Sequence, residues 1–246
     1  MTAEILEKLQ DLQNQEKAKI LRRFFKTGPG QYGEGDIFLG IPVPVLRKLA
    51  GQYRNPTPDT VLALLRHSFH EARLLALLFL IRAFRDGDSE AKTVIFNTYL
   101  DHTRFINNWD LVDLSAPHIV GACLADKKRT VLSELATSSL LWERRMAIVA
   151  TFHFIKNREF QDTLHISDLL LRDREDLIHK AVGWMLREVG KRDTEKLEDF
   201  LKTRCQIMPR TMLRYAIEKF PQEKRQKYLK RSNLTGKTSL SPADSL

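Results

Sequence analysis

Apolar residues recur at intervals of three and four along nearly the whole chain, and strand-like alternation is almost absent. That period is the mark of amphipathic helices. It predicts helices over 3–26, 44–52, 58–66, 69–85, 90–99, 109–124, 128–136, 141–156, 160–171, 176–191, 194–202 and 209–220. Between them, "RNPTP", "RDGDSE", "KRDTE" and "KFPQE" set proline, glycine and aspartate where helices stop. Two segments lack the period. "KTGPGQYGEGD" (26–36) holds four glycines and a proline and reads as a flexible surface connector. Its glycines do not follow the strand–turn–helix pattern of a phosphate-binding loop. The tail "SNLTGKTSLSPADSL" (232–246) is polar, lacks aromatic residues and is expected to be disordered. The expected organisation is one domain over 1–231 followed by this tail.

A weak internal repeat changes the picture from a set of helices to an architecture. "HEARLLALLFLIRAF" (70–84) resembles "WERRMAIVATFHFIK" (142–156), and "LIHKAVGWMLREVGK" (177–191) and "PRTMLRYAIEKF" (209–220) echo both. In that register Arg73, Trp109, Arg145, Lys180 and Arg214 fall 34 to 36 residues apart. Such a period suits stacked helix pairs, in which alternate helices line one face. The fold expected is therefore all-α, a helical-repeat α-solenoid with a mostly cationic row across its concave side. The plainer alternative is that basic residues are common in this chain and the row is partly coincidence.

Charge then narrows the partner. Against 31 Asp+Glu stand 40 Lys+Arg, a net charge of +9 and a pI near 9.6, which favours a polyanion, with nucleic acid ahead of an anionic membrane surface. The longest apolar run, Leu74 to Ile81, is far short of a membrane span. The N-terminal stretch has acids early and bases late and no apolar signal core, so a cytoplasmic protein is expected. Cys123 and Cys205 are too few and too far apart for a disulfide framework or a zinc site.

Little conventional chemistry is written in the chain. His67 and His70 stand three apart with no HExxH or similar cluster, so a helix-surface pair is the better reading. Ser115 lies near Asp113 and His118, but that order makes no triad without a strained elbow or an oxyanion loop. The tryptophans are more informative. Trp142, beside Leu140 and Leu141, reads as core. Trp109 has Asp113 one turn on, with Asp110 between them and pointing elsewhere; Trp184 has Lys180 one turn before and Arg187 three residues after. Charges are rarely buried unpaired, so these two rings suit a groove contacting sugars, bases or a cationic ligand. Asp113 reads either as the ion-pair partner of a base such as Arg145 or as a carboxylate held beside a phosphate-binding groove. The second makes sense if positive charge develops in the substrate.

"YGEGDIFLGIPVPVLRKLA", "NNWDLVDLSAPHIVG", "WERRMAIVATF", "DLIHKAVGWMLREVGKRD" and "MPRTMLRYAIEKF" occur in this order and resemble the AlkD-type DNA alkylation repair family over about residues 21–228. The resemblance implies a HEAT-like α-solenoid whose basic concave face holds double-stranded DNA. It implies a monofunctional DNA glycosylase that removes cationic N3- and N7-alkylated purines without flipping the base into a pocket. On its motifs the catalytic set is Asp113, Trp109 and Arg145, with Trp184 facing DNA. Lys180, Arg187, Arg73 and Arg214 complete the expected DNA-binding set. The resemblance requires no metal, no cofactor and no Lys nucleophile, and the protein is expected to act as a monomer. An aromatic that some members supply as Tyr near the N-terminus is either Phe24 or Phe25 here. The 26–36 loop looks longer than in the best-studied members. Two other classes stay open: a non-catalytic DNA-binding solenoid, since some relatives have little activity, and a protein-interaction scaffold whose basic face meets an acidic partner.

Overall fold

Asn14 divides the first apolar stretch into two helices, α1 (Thr2–Asp11) and α2 (Gln15–Phe24), in the computed structural model, which describes residues 1–231. The single helix expected over 3–26 is broken by a tertiary contact. The Asn14 side chain accepts from Lys17 N–H at 2.9 Å, and its own N–H donates to the Leu39 carbonyl at 2.8 Å. Gly40, at φ +85°, makes this approach possible: a Cβ there would lie 2.2 Å from the Asn14 carbonyl oxygen.

Every regular element among the described residues is a helix, and the extended contact is an isolated parallel bridge between Ile37 and Phe69. The helices cluster into two compact units, Met1–Cys123 and Leu124–Leu246, the second described to residue 231. In the first, α3 (Val43–Gln52), α4 (Pro58–Leu65), α5 (His70–Asp86), α6 (Ser89–Asp101) and α7 (Trp109–Ala116) follow α2. Helix α5 packs on α3, α4, α6 and α7. Every side chain from His70 to Leu80 is consequently buried, which accounts for an apolar run that shows no single face.

The second unit contains α8 (Thr130–Ala136), α9 (Leu141–Ala150), α10 (Phe152–Lys156), α11 (Gln161–Leu169), α12 (Asp176–Gly190), α13 (Thr194–Arg204), α14 (Arg210–Ala216) and α15 (Gln222–Arg231). Its packing repeats: α8 lies on α9 and α11 on α12, while α9, α12 and α14 stack in succession. Arg145, Lys180 and Arg214 thus sit on the stacked helices, as the repeat register requires.

The expected helix over 109–124 ends early, because Pro117 has no N–H for the helical ladder and the chain widens into a π turn over Pro117–Gly121. The helix expected over 141–156 breaks at buried Thr151, whose Oγ1 donates to the Ile148 carbonyl at 2.7 Å. Helix α15 was not signalled by periodicity, since its sequence is polar almost throughout; buried Tyr228 anchors it on Phe220 with ring centroids 5.8 Å apart. The tail expected to be disordered, 232–246, lies outside the described residues.

Gly183 lets α12 and α14 approach: a Cβ on it would fall 2.5 Å from the Met212 carbonyl oxygen and 2.5 Å from Tyr215 Cβ. Gly183→Ala should therefore destabilise the protein despite Ala's better helix propensity, worth about 1 kcal/mol. The obstacle is backbone, which cannot rotate away, so a cost near the top of the ~1–3 kcal/mol overpacking range is expected. Thermal unfolding checks this; an unchanged or raised midpoint would refute it.

Candidate functional site

Helix α7 begins where Asn108, fully buried, turns its side-chain oxygen to the Trp109 N–H at 2.9 Å. The helix runs unbroken through Asp113, so Trp109 and Asp113 share a face one turn apart, as the spacing predicts. Both are half-buried. Trp109 is built into an aromatic stack. Its ring lies parallel to Phe25 with centroids 5.1 Å apart, and Phe25 stacks in turn on Phe38 at 4.9 Å. Phe24 meets Trp109 edge-on at 5.9 Å. The two phenylalanines differ in exposure: Phe25 is 7% exposed and belongs to the core, whereas Phe24 is 61% exposed.

Beneath this stack lies a buried polar cluster that sequence reasoning missed. The imidazole of His70 sits between two carboxylates, with Nδ1 3.2 Å from Asp36 Oδ2 and Nε2 2.8 Å from Asp110 Oδ2. Asp36 also accepts from Arg73 Nη2 at 2.5 Å and from the Asn107 and Asn108 amides at 3.1 Å each. Burial works against the charge on His70, but its hydrogen bonds to Asp110 and Asp36 outweigh this and raise its pKa. Burial likewise opposes ionisation of Asp36, and His70, Arg73 and Asn108 together hold its pKa below the usual carboxylate value. His70 is not the helix-surface residue expected. The Gly-rich stretch before Asp36 is folded on itself: Gly33 N–H donates to the Lys26 carbonyl, Gly28 N–H to the Gln31 side chain and Gly30 N–H to Glu34.

The expected row of cations fares unevenly. Arg73, placed by the repeat on a DNA-facing surface, is instead 4% exposed. Its guanidinium is held by Asp36 and by the His67 and Ser68 carbonyls at 2.9 and 3.1 Å. The physical reason is the Asp36 carboxylate, delivered from the 26–36 loop, which makes burial of the arginine tolerable. A cleft of about 230 Å³ beside it carries Arg66 and Arg104 on its walls.

In the second unit Arg145 is buried on α9, and its Nη1 donates to the Leu177 carbonyl at 2.6 Å. Lys180 pairs with Asp176 at 2.7 Å, and that contact lowers the Asp176 pKa against the opposing effect of burial. Arg187 pairs with Glu218. Trp184 is half-buried, with Phe152 at a centroid distance of 6.0 Å, and Arg214 is exposed on α14. Trp142, read as core, is half-buried at the start of α9. Among the described residues no group of His, Cys, Asp or Glu is arranged to hold a metal ion, and no helix is long and apolar enough to cross a membrane.

A family model described as DNA alkylation repair enzyme matches residues 5–220. A solved structure from Enterococcus faecalis, described as a predicted DNA alkylation repair enzyme, superposes with a TM-score of 0.67 at 16% identity, covering 85% of this chain and 97% of that one. AlkD2 from Streptococcus mutans superposes with a TM-score of 0.54 at 15% identity, covering 85% and 99%. At these identities the structures establish the all-helical repeat fold. No curated protein matches the chain.

Proposed function

The chain belongs to the DNA alkylation repair enzyme family, and from that premise we propose that it is a monofunctional DNA glycosylase excising cationic N3- and N7-alkylated purines from double-stranded DNA. The observation that carries this reading is the Trp109–Asp113 face of α7, a carboxylate one helical turn from an aromatic ring in a chain of net charge +9. Alkylation leaves the purine positively charged, so when the N-glycosidic bond breaks its electron pair neutralises the departing base and no general acid is needed. The sugar is left oxocarbenium-like, and the Asp113 anion stabilises that charge while water adds to the anomeric carbon and releases its proton to solvent.

Trp109, Trp184 and exposed Phe24 pack on the deoxyribose backbone. Lys180, Arg187 and Arg214 answer phosphates, while the buried Arg145 and Arg73 support the surface from below, Arg73 through Asp36. Residues 1–231 serve as one DNA-binding domain, acting in the cytoplasm as a monomer without metal or cofactor. The lesion stays in the duplex and is not flipped into a pocket.

The two phenylalanines separate contact from scaffold. Phe25→Ala should lose about 3–5 kcal/mol of stability, as for a buried aromatic. Phe24→Ala should leave the unfolding midpoint nearly unchanged and weaken duplex binding by a few-fold, the worth of roughly 1 kcal/mol of stacking. Equal effects of the two on stability would contradict the assignment.

The deciding experiment is chromatography of bases released from N-methylated duplex. Free methylated purine is expected. Steeply salt-dependent duplex binding with no release would favour the non-catalytic DNA-binding reading, and the absence of such binding would favour a protein-interaction scaffold.

A further inference from the structure

We propose that His70 is the positioning residue for the Trp109–Asp113 face, a cationic clamp between Asp36 and Asp110 that fixes the first turn of α7. Its effect on base release rests on the glycosylase reading; its effect on α7 does not.

The geometry sets the protonation state of the ring. A neutral imidazole has one N–H, yet both His70 nitrogens face carboxylate oxygens, at 3.2 and 2.8 Å. Asp36 is fixed as an acceptor, because Arg73, Asn107 and Asn108 all donate to it. Both nitrogens therefore carry protons. The charged groups facing the ring are Asp36 from the loop before α3, Asp110 from α7 and Arg73 from its own helix; the remaining neighbours are the rings of Phe38, stacked at 4.3 Å, and Phe25, at 5.3 Å. Two cations thus meet two anions, and the cluster is neutral as a whole.

Asp110 depends on this clamp. Its Oδ1 is buried without a hydrogen-bond partner, so the bond from His70 to Oδ2 is what holds the carboxylate. Asp110 lies directly after Trp109 and three residues before Asp113; although its carboxylate is turned toward His70 and off the Trp109–Asp113 stripe, i,i+3 spacing still makes it a helical neighbour of the second carboxylate. Without the imidazolium, two anions would repel within one turn of α7. Phe25 completes the linkage, touching His70 on one side and stacking on Trp109 on the other.

The sign of the pH dependence follows. His70 has its pKa raised from 6.5, its burial being outweighed by Asp110 and Asp36. Its contribution is complete below 6.5 and is lost as the pH rises through the raised value, so order in α7 declines on the alkaline side.

The test combines amide hydrogen exchange in α7, duplex affinity and single-turnover base release, from about pH 6 to about pH 9, for wild type, His70→Gln and Asp110→Asn. Asp110 is half-buried and its amide replacement isosteric, so this variant remains informative if His70→Gln unfolds. Both variants should exchange α7 amides about tenfold faster at neutral pH. Both should release base roughly 10–100-fold more slowly, with duplex affinity within about twofold. His70→Gln should abolish the alkaline decline, and Asp110→Asn should move it to lower pH. Unchanged α7 protection in both variants would overturn the clamp, as would losses of release and affinity that merely track thermal stability. Faster α7 exchange in a protein whose wild type releases no base would leave the clamp standing and overturn the glycosylase reading alone.

Discussion

Asp113→Asn is expected to release methylated purine from alkylated duplex at least about 100-fold more slowly than wild type, the scale of losing one preorganised electrostatic contact to a charged transition state. The substitution is nearly isosteric, so Trp109 and the α7 backbone keep their places and the change is one of charge. In the ground state the duplex presents phosphates, which a carboxylate repels. Duplex affinity should therefore hold or improve slightly while the chemical step collapses, and that split distinguishes a catalytic anion from a binding residue. The charge already reaches its surroundings. Tyr99 is fully buried and its phenol pKa is pushed up, first by burial and additionally by the Asp113 carboxylate. Single-turnover release measured beside duplex affinity decides the matter, and wild-type release by the variant would remove Asp113 from the chemistry.

What could be read ahead of the structure was whatever depends on near neighbours in the chain. Trp109 and Asp113 are four residues apart, so helical periodicity alone sets them on one face. Arg145, Lys180 and Arg214, spaced by the repeat register, fall on α9, α12 and α14, which pack in succession because a period near 35 residues counts helix pairs. The register could not say which cations reach the surface. Arg73 is neutralised by Asp36, 37 residues upstream and beyond a glycine-rich loop that has no period of its own. Arg187 meets Glu218 from 31 residues away. The same limit hid His70, which looked like half of a surface pair because its two carboxylate partners come from separate segments. A faint signal was present: Asp36 ends a loop too rich in glycine to need an acid there, and Asp110 stands beside the very residue singled out. The break at Asn14 belongs to this class too, since its cause is the Leu39–Gly40 segment docked against it.

Glu71→Ala should strongly destabilise the first unit while leaving the Trp109–Asp113 face untouched in sequence. The carboxylate stands in the first turn of α5, only 2% exposed, and accepts three backbone N–H groups: Leu39 at 2.9 Å, Gly40 at 2.8 Å and Ile41 at 3.2 Å. Those residues lie in a segment with no helix or sheet to satisfy them, and Leu39 and Ile41 are themselves buried. Truncation orphans all three donors, each worth about 1–3 kcal/mol, against which the relief of a buried charge is a partial offset. A net loss of about 3 kcal/mol or more is expected, lowering the midpoint by roughly 6–12 °C for a chain of this size. Glu71→Gln should lose less. Its remaining carbonyl can serve Gly40 and Ile41, which share Oε1, but its amide then opposes the Leu39 N–H donor to donor. The consequence extends beyond stability, because the segment from Asp36 to Ile41 supplies both the Asp36 carboxylate and the Phe38 ring against which His70 is packed. Amide exchange at residues 39–41 and across α7 should therefore rise together in Glu71→Ala. A variant that unfolds at the wild-type temperature, or that loosens 39–41 and leaves α7 protected, would show that this carboxylate neither holds the segment nor, through it, the face of α7.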